Sequence, residues 1–148
     1  PGSGLWPNWM TDGVLDSQGM LGSNVIELAW LLESDSMREE IGDHPIILIG
    51  HSYGGVIIRS MLAANRLSPD AKRQVAGVIQ FGSPNGGSLA ARFANTERGR
   101  ELHEVNSDIS EMSPATVSLD PDEMARWNYD HSGPVGVPVV RFGGTFLY

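Results

Sequence analysis

The stretch over residues 45–55 restricts what this chain can fold into more than any other part of it. It contains the apolar run Ile46–Ile49, which is typical of a central parallel strand covered on both faces. The segment G-H-S-Y-G-G at residues 50–55 then breaks the run, and the mostly apolar residues 56–64 indicate a buried helix. The order is therefore strand, sharp turn and helix, with the pattern Gly-x-Ser-x-Gly at the turn.

This setting predicts that Ser52 is a nucleophile held at the tip of a tight turn. Such a turn forces the serine into an unfavourable backbone conformation, and we expect Gly50 and Gly54 to remove two Cβ atoms that would otherwise crowd each other. The turn also aims the first N–H groups of the next helix at the space beside Ser52. There they could stabilise the negative oxygen that forms when a carbonyl is attacked. The alternative is a serine that merely caps the helix, a role that would not require the flanking glycines.

Composition excludes several classes of function. The chain has 148 residues, enough for one domain with a substantial core, and we treat residues 1–148 as that single domain. A net charge of −8 with a single lysine, Lys72, argues against nucleic acid and anionic membranes as partners. The absence of cysteine excludes disulfides, cysteine metal sites and a cysteine nucleophile, and we expect no metal or other cofactor. No apolar run is long enough to span a membrane and no signal peptide is visible, so we expect a soluble protein and slightly favour the cytoplasm.

Two capping patterns precede the central strand. The pattern that starts at Asn24 predicts a helix over Val25–Leu32. The pattern that starts at Ser36 predicts a second helical turn, which Gly42 ends. His44 lies at the opposite end of the central strand from the turn, and we interpret it as a surface residue.

Two further strands follow the turn. Ser68 caps a short helix, and the apolar residues Val75–Phe81 form the next strand. A right-handed crossover of this length makes the two strands parallel and adjacent. The loop at residues 82–88 then follows at the same sheet edge as Ser52, either as a plain glycine-rich loop or as part of a ligand site. Residues 137–142 form a third strand, so the predicted class is α/β, with a mostly parallel sheet flanked by helices.

Residues 89–136 form a long excursion between the second and third strands. We expect a lid-like helical insertion, since long connections of this kind often cover a site. Asp120 is placed to cap one of its helices, and Met112, Met124 and Trp127 either face an acyl chain or form part of the core. The predicted helices are Leu89–Asn95, Glu97–Val105 and Pro121–Trp127.

Two segments carry a family resemblance. I-I-L-I-G-H-S-Y-G-G at residues 46–55 and G-S-P-N-G-G-S at residues 82–88 resemble the α/β-hydrolase superfamily. They look closest to its lipase-like serine esterases, which have a G-H-S-x-G-G elbow and a G-T-P-H-x-G-S segment after the next strand. The resemblance implies that Ser52 is the nucleophile and that the backbone N–H of Tyr53 is one oxyanion-hole donor. It implies an elbow formed by Gly50, His51, Gly54 and Gly55, in which His51 packs beside the turn and is not the base.

The chain also departs from the family. In relatives the triad acid follows the strand at residues 137–142 and the histidine follows one strand later, whereas this sequence ends before either. The His-Gly segment that supplies the second oxyanion donor in relatives is not found. Asp120 or Asp122 followed by His131 satisfies the order Ser, Asp, His, and His103 is another candidate for the base, but no strand end would hold these residues. We therefore expect the chain to be a partial copy of the fold, whose acid, base and missing strands come from a missing segment or a second chain.

The expected function is a serine hydrolase that cleaves carboxylic esters of small molecules or lipids through an acyl-enzyme on Ser52. One alternative is a non-catalytic binding domain with the same fold, since fold does not guarantee chemistry. Another is an acyltransferase that uses the same turn with an alcohol acceptor.

Overall fold

The computed structural model describes residues 19–105 and 118–143 of the chain. Within these residues the strands form a three-stranded parallel sheet in the order β1-β2-β3. The strands are β1 Ile46–His51, β2 Val75–Phe81 and β3 Val139–Phe142. The predicted α/β class and the parallel pairing of the first two strands are confirmed.

Helices precede β1 and connect the strands. They are α1 Gly19–Glu33, α2 Asp35–Ile41, α3 Tyr53–Ala63, α4 Pro69–Gln74, α5 Leu89–Ala94, α6 Glu97–Val105 and α7 Pro121–Asp130. The predicted caps of α4 and α7 are confirmed, because Ser68 Oγ accepts from Ala71 N at 3.3 Å and Asp120 Oδ1 accepts from Asp122 N at 2.8 Å. Within the two described ranges, no helix is both long and apolar enough to cross a membrane.

The predicted starts of the first two helices are wrong. The first helix begins at Gly19, so Asn24 lies inside α1 and does not cap it. Its side chain is buried, with the residue 1% exposed. The cap of α2 is Ser34, whose Oγ accepts from Met37 N at 3.3 Å, and Ser36 lies within the helix. The predicted end of α2 at Gly42 is confirmed, with φ 57° and its N–H bonded to Arg38 O.

The core lies against one face of the sheet. Leu48 of β1 and Val78 of β2 point into it and meet side chains from three helices. Helix α3 contributes most of them, and Met124 of α7 is fully buried there. Met124 is therefore a core residue, which decides between its two interpretations, and Met112 lies outside the described residues. The lid-like role of residues 89–136 and the single-domain assignment of residues 1–148 stay predictions.

The opposite face of the sheet is apolar and exposed in the described part of the chain. Ile47 is 59% and Ile49 65% exposed, and Phe81 and Phe142 stack on this face with ring centroids 5.0 Å apart. The expectation that β1 is covered on both faces is not met by the described residues. The core helices supply their buried side chains to the Leu48 face, and successive side chains of a strand point to opposite faces.

Candidate active site

Ser52 occupies the junction between β1 and α3 in a conformation that L residues rarely adopt. Its backbone angles are φ 50° and ψ −124°, and Asn65 is the other described non-glycine residue with positive φ. The turn is fastened to the sheet by a hydrogen bond from Ser52 N to Phe81 O, at 2.8 Å. A strained conformation of this kind persists only where the surrounding structure imposes it.

The side chain of Ser52 does not cap the helix that follows it. At three other helix starts the serine hydroxyl accepts from the N–H three residues later, at 3.3 to 3.5 Å; these caps are Ser34, Ser68 and Ser88. The capping alternative therefore does not describe Ser52, whose side chain is half-buried at the carboxyl end of β1.

Glycines allow β1 and α3 to approach closely at this turn. A Cβ added to Gly50 would lie 2.5 Å from Gly55 Cα and 2.6 Å from Gly55 N. A Cβ added to Gly55 would lie 1.9 Å from Ser83 Oγ, whereas one added to Gly54 would meet no atom within 4 Å. The prediction that Gly54 relieves the crowding is thus wrong. The turn of the helix brings Gly55 against the strand and Gly54 toward open space.

Tyr53 is the first residue of α3. Its backbone N–H, like that of any first helical residue, has no partner within its own helix and stays the predicted oxyanion donor. Its side chain is 6% exposed, and burial raises the pKa of the phenol, although the nearby side chains of Ser118 and Asn24 oppose the shift. The buried neutral ring anchors the start of the helix.

Neither of the histidines beside β1 is paired with Ser52. His51 ends β1 and is exposed, in register with Phe81 on the open face of the sheet. It stays a predicted elbow residue. His44 is exposed before β1, which confirms its interpretation as a surface residue.

The predicted internal acids serve the start of α7. Asp120 caps the helix, and Asp122 Oδ1 lies 2.6 Å from Arg92 Nη2. That helix start packs on the loop after β2, where a Cβ added to Gly87 would lie 2.5 Å from Pro121 Cα.

His131 lies at the other end of α7, away from Ser52. Its ring stacks on Trp127 at 4.1 Å, and its Nδ1 lies 3.0 Å from Trp127 O. Two residues later, Gly133 packs against Ala63 O at the end of α3. Eleven helical residues separate that end from Ser52, about 16 Å along the axis. The structure therefore does not bring His131 to Ser52, and the side chain of His103 lies outside the described residues.

A cavity of about 370 Å³ opens beside the turn, at the carboxyl ends of β2 and β3. The loop at residues 82–88 forms part of its wall, and the role of that loop in a ligand site stays a prediction. The lining residues are Gln80, Gly82, Ser83, Asn85, Arg141, Phe142 and Gly143.

Gln80 joins this cavity to the turn. It is 1% exposed, and its Nε2 donates to Gly55 O. Its Oε1 accepts from Arg141 Nε at 3.0 Å and from Asn85 Nδ2 at 3.1 Å. Sequence reasoning missed Gln80, for which the signal was a lone amide within an otherwise apolar strand.

The described part of the chain offers no group of three or more His, Asp or Glu side chains that could hold a metal ion. The polar side chains gathered beyond Ser52 are instead two neutral amides, one hydroxyl and a guanidinium. This set can bind oxygen atoms of a ligand, since guanidinium, amide and hydroxyl groups all donate hydrogen bonds.

Comparison with known proteins supports the fold. No protein-family model matches the chain. The mature form of the Bacillus licheniformis lipase BlEst2 superposes with a TM-score of 0.64 and 22% identity, over 82% of this chain and 46% of the lipase chain. The propeptide form gives a TM-score of 0.65 at the same identity, over 82% of this chain and 25% of that one. The chain therefore shares its α/β fold with these lipase structures.

One curated relative also matches. Human protein SERAC1 is 29% identical over 90 residues, which are 55% of this chain and 13% of that protein. This chain thus spans less than half of each of the chains named here.

Proposed function

We propose that this chain carries the nucleophile of a serine hydrolase that cleaves carboxylic esters through an acyl-enzyme on Ser52. The observation that carries the proposal is the backbone of Ser52, with φ 50° and ψ −124° at a strand-to-helix junction and no capping bond from its side chain. A capping serine has no need of this strain, whereas a nucleophile needs its hydroxyl lifted clear of the sheet. The similarity to lipase structures supports the same interpretation.

The reaction would proceed in two steps. Ser52 Oγ attacks the ester carbonyl while a base removes the hydroxyl proton, and the negative oxygen is stabilised by the N–H of Tyr53. The intermediate collapses to the acyl-enzyme, and the alcohol leaves with the proton. Water then attacks the acyl carbon while the base takes its proton and passes it to Ser52 Oγ, so the carboxylic acid leaves and the Ser52 hydroxyl is regenerated.

The base and acid would come from outside the described residues. β1 and β3 are the edges of the described sheet, and one sheet face exposes five large apolar side chains: Ile47, Ile49, Phe81, Val140 and Phe142. Parallel sheets are normally covered on both faces, and long apolar edges normally pair. We propose that a further segment or a second chain completes the sheet and supplies the histidine and its acid.

Labelling of the intact protein with a fluorophosphonate tests the proposal. We expect a covalent adduct on Ser52 that Ser52→Ala abolishes, located by peptide mass spectrometry. Ser36→Ala is the matched control, because Ser36 is an exposed serine of α2. An unlabelled wild-type protein would contradict the proposal and favour a non-catalytic binding domain. Transfer of the acyl group to an added alcohol in preference to water would favour an acyltransferase.

A further inference from the structure

The cavity beside the turn lies close enough to Ser52 to receive part of the same ligand. Ser52 N bonds to Phe81 O of β2, and the cavity opens between the ends of β2 and β3. Neighbouring strands lie about 4.8 Å apart, so the cavity is about 5–10 Å from Ser52 across the sheet. Its wall also reaches the turn directly, since Ser83 lies against Gly55.

Arg141 lines this cavity, and its charge has no carboxylate partner among the described residues. In the two described ranges, every salt bridge involves Arg73, Arg92 or Arg126, and none involves Arg141. Arg59, whose Nη1 donates to Asn128 Oδ1, is near enough that the charge of Arg141 acts on it. Burial lowers the pKa of Arg59 and the charge of Arg141 lowers it further. Of these two cations, Arg141 lines the cavity and can attract an anion there.

The wall also holds buried polar atoms with unused hydrogen-bonding capacity. Ser83 Oγ and Asn85 Oδ1 are buried and have no hydrogen-bond partner among the described residues. The Asn85 amide nitrogen is already used, since it donates to Gln80 Oε1. A buried polar atom without a partner costs free energy, so rotation of either side chain toward the cavity would be favoured by a ligand that bonds to it. Ser83 can donate to an anionic oxygen, and Asn85 Oδ1 can accept from an O–H group.

We propose that this cavity binds an anionic oxygen group of the substrate, a carboxylate or a phosphate, on Arg141 with Ser83 as a second donor. The claim that the ligand is an ester substrate rests on the proposed function, whereas the claim that the cavity binds an anion rests on the cavity alone. The substrate is then an ester with a negative charge a few bonds from its scissile carbonyl. Arg141 is a binding residue in this scheme and takes no part in proton transfer.

Binding of inorganic phosphate and of acetate to the intact protein tests the site without any chemistry, by calorimetry at fixed ionic strength. We expect both anions to bind wild type, and phosphate more tightly because its O–H can donate to Asn85 Oδ1. Arg141→Gln should weaken phosphate binding by about tenfold to a hundredfold, the usual effect of losing a charged hydrogen bond. Arg73→Gln is the control, because Arg73 is an exposed residue of α4 that makes the same change in net charge.

Ser83→Ala gives an independent measurement if Arg141→Gln fails to fold. We expect it to weaken phosphate binding by about threefold to tenfold. Absence of phosphate and acetate binding in wild type would overturn the site. So would equal binding by wild type, Arg141→Gln and Ser83→Ala. Acetate binding without phosphate binding would assign the anion as a carboxylate.

Hydrolysis of a matched pair of esters connects the site to the reaction. We expect kcat/KM for mono-4-nitrophenyl glutarate to fall about tenfold or more in Arg141→Gln, with no change for the neutral 4-nitrophenyl pentanoate. An equal fall for both esters would assign Arg141 a structural role and overturn the proposed selectivity. Phosphate binding without labelling at Ser52 would overturn the proposed function and leave the anion site in place. Labelling without anion binding would do the reverse.

Discussion

The contact between Gly55 and Ser83 allows the packing of the turn to be tested by opposite changes in side-chain size. In Gly55→Ala the new Cβ would lie 1.9 Å from Ser83 Oγ and 2.8 Å from Ser83 Cβ. Rotation of the Ser83 side chain moves the Oγ atom away but leaves its Cβ in place. The clash therefore persists in every rotamer, unless the loop or the helix moves.

The magnitude follows from two opposing terms. Overpacking of this kind costs about 1–3 kcal/mol, whereas alanine is favoured over glycine within a helix by about 1 kcal/mol. The difference predicts that Gly55→Ala lowers the free energy of unfolding by up to about 2 kcal/mol. Gly54→Ala, one position earlier in the same helix, carries only the favourable term and should be neutral or slightly stabilising.

A double-mutant cycle measured by urea unfolding separates the clash from other effects of the substitutions. Ser83→Gly removes both atoms with which the new Cβ would clash, so it should restore most of the stability lost in Gly55→Ala. The expected coupling energy is about 2 kcal/mol, against about 0.3–0.5 kcal/mol for independent sites. Equal stabilities of Gly54→Ala and Gly55→Ala, or additive effects of Gly55→Ala and Ser83→Gly, would refute the packing described here.

Three further predictions concern stability. Ser52→Gly should raise the melting temperature, measured by calorimetry, by about 2–4 °C. The reason is that positive φ costs a serine about 1–3 kcal/mol and a glycine much less. Ser52→Ala keeps a Cβ and should not raise the melting temperature. The hydrogen bond from Ser68 N lowers the pKa of Glu33. The stability that this bond provides is therefore present above pH 4.5 and is lost as the pH falls through the lowered pKa. Glu33→Gln should make the urea unfolding midpoint less dependent on pH in that range. Burial raises the pKa of Tyr53, so the free energy of unfolding should fall as the pH rises above 10.0. This fall should be less steep in Tyr53→Phe, which lacks the buried phenol, than in the control Tyr129→Phe, which lacks an exposed one.

Local signals in the sequence were sufficient for most of the elements. The strand Val75–Phe81 and the caps at Ser68 and Asp120 were predicted correctly, because an apolar run and a capping side chain act over a few residues. The same signal failed at Asn24, which is a buried residue within α1. A capping pattern can occur inside a helix whose apolar face begins further upstream, and only packing distinguishes the two cases.

Two features depend on tertiary packing and could not be predicted from the sequence: the exposed face of β1 and the glycine that makes the close contact at the turn. The apolar run of β1 did not reveal that Ile47 and Ile49 lie on an exposed face in the described structure, since a run without alternation carries no information on which face is covered. The Gly-x-Ser-x-Gly pattern placed the turn correctly, but it did not show that Gly55, rather than Gly54, makes the close contact. That distinction depends on the angle at which α3 leaves the sheet.

Strand register explains why the turn and the cavity form one unit. Gly50 pairs with Gln80, and Gln80 pairs with Arg141, so the three residues cross the sheet in one row. Because Gly50 has no side chain, α3 can approach β1 closely, and Gly55 O comes within reach of the Gln80 amide nitrogen. The oxygen of the same amide accepts from Arg141 Nε. A single buried side chain therefore bonds both to the first turn of the helix after Ser52 and to the guanidinium of the proposed anion site.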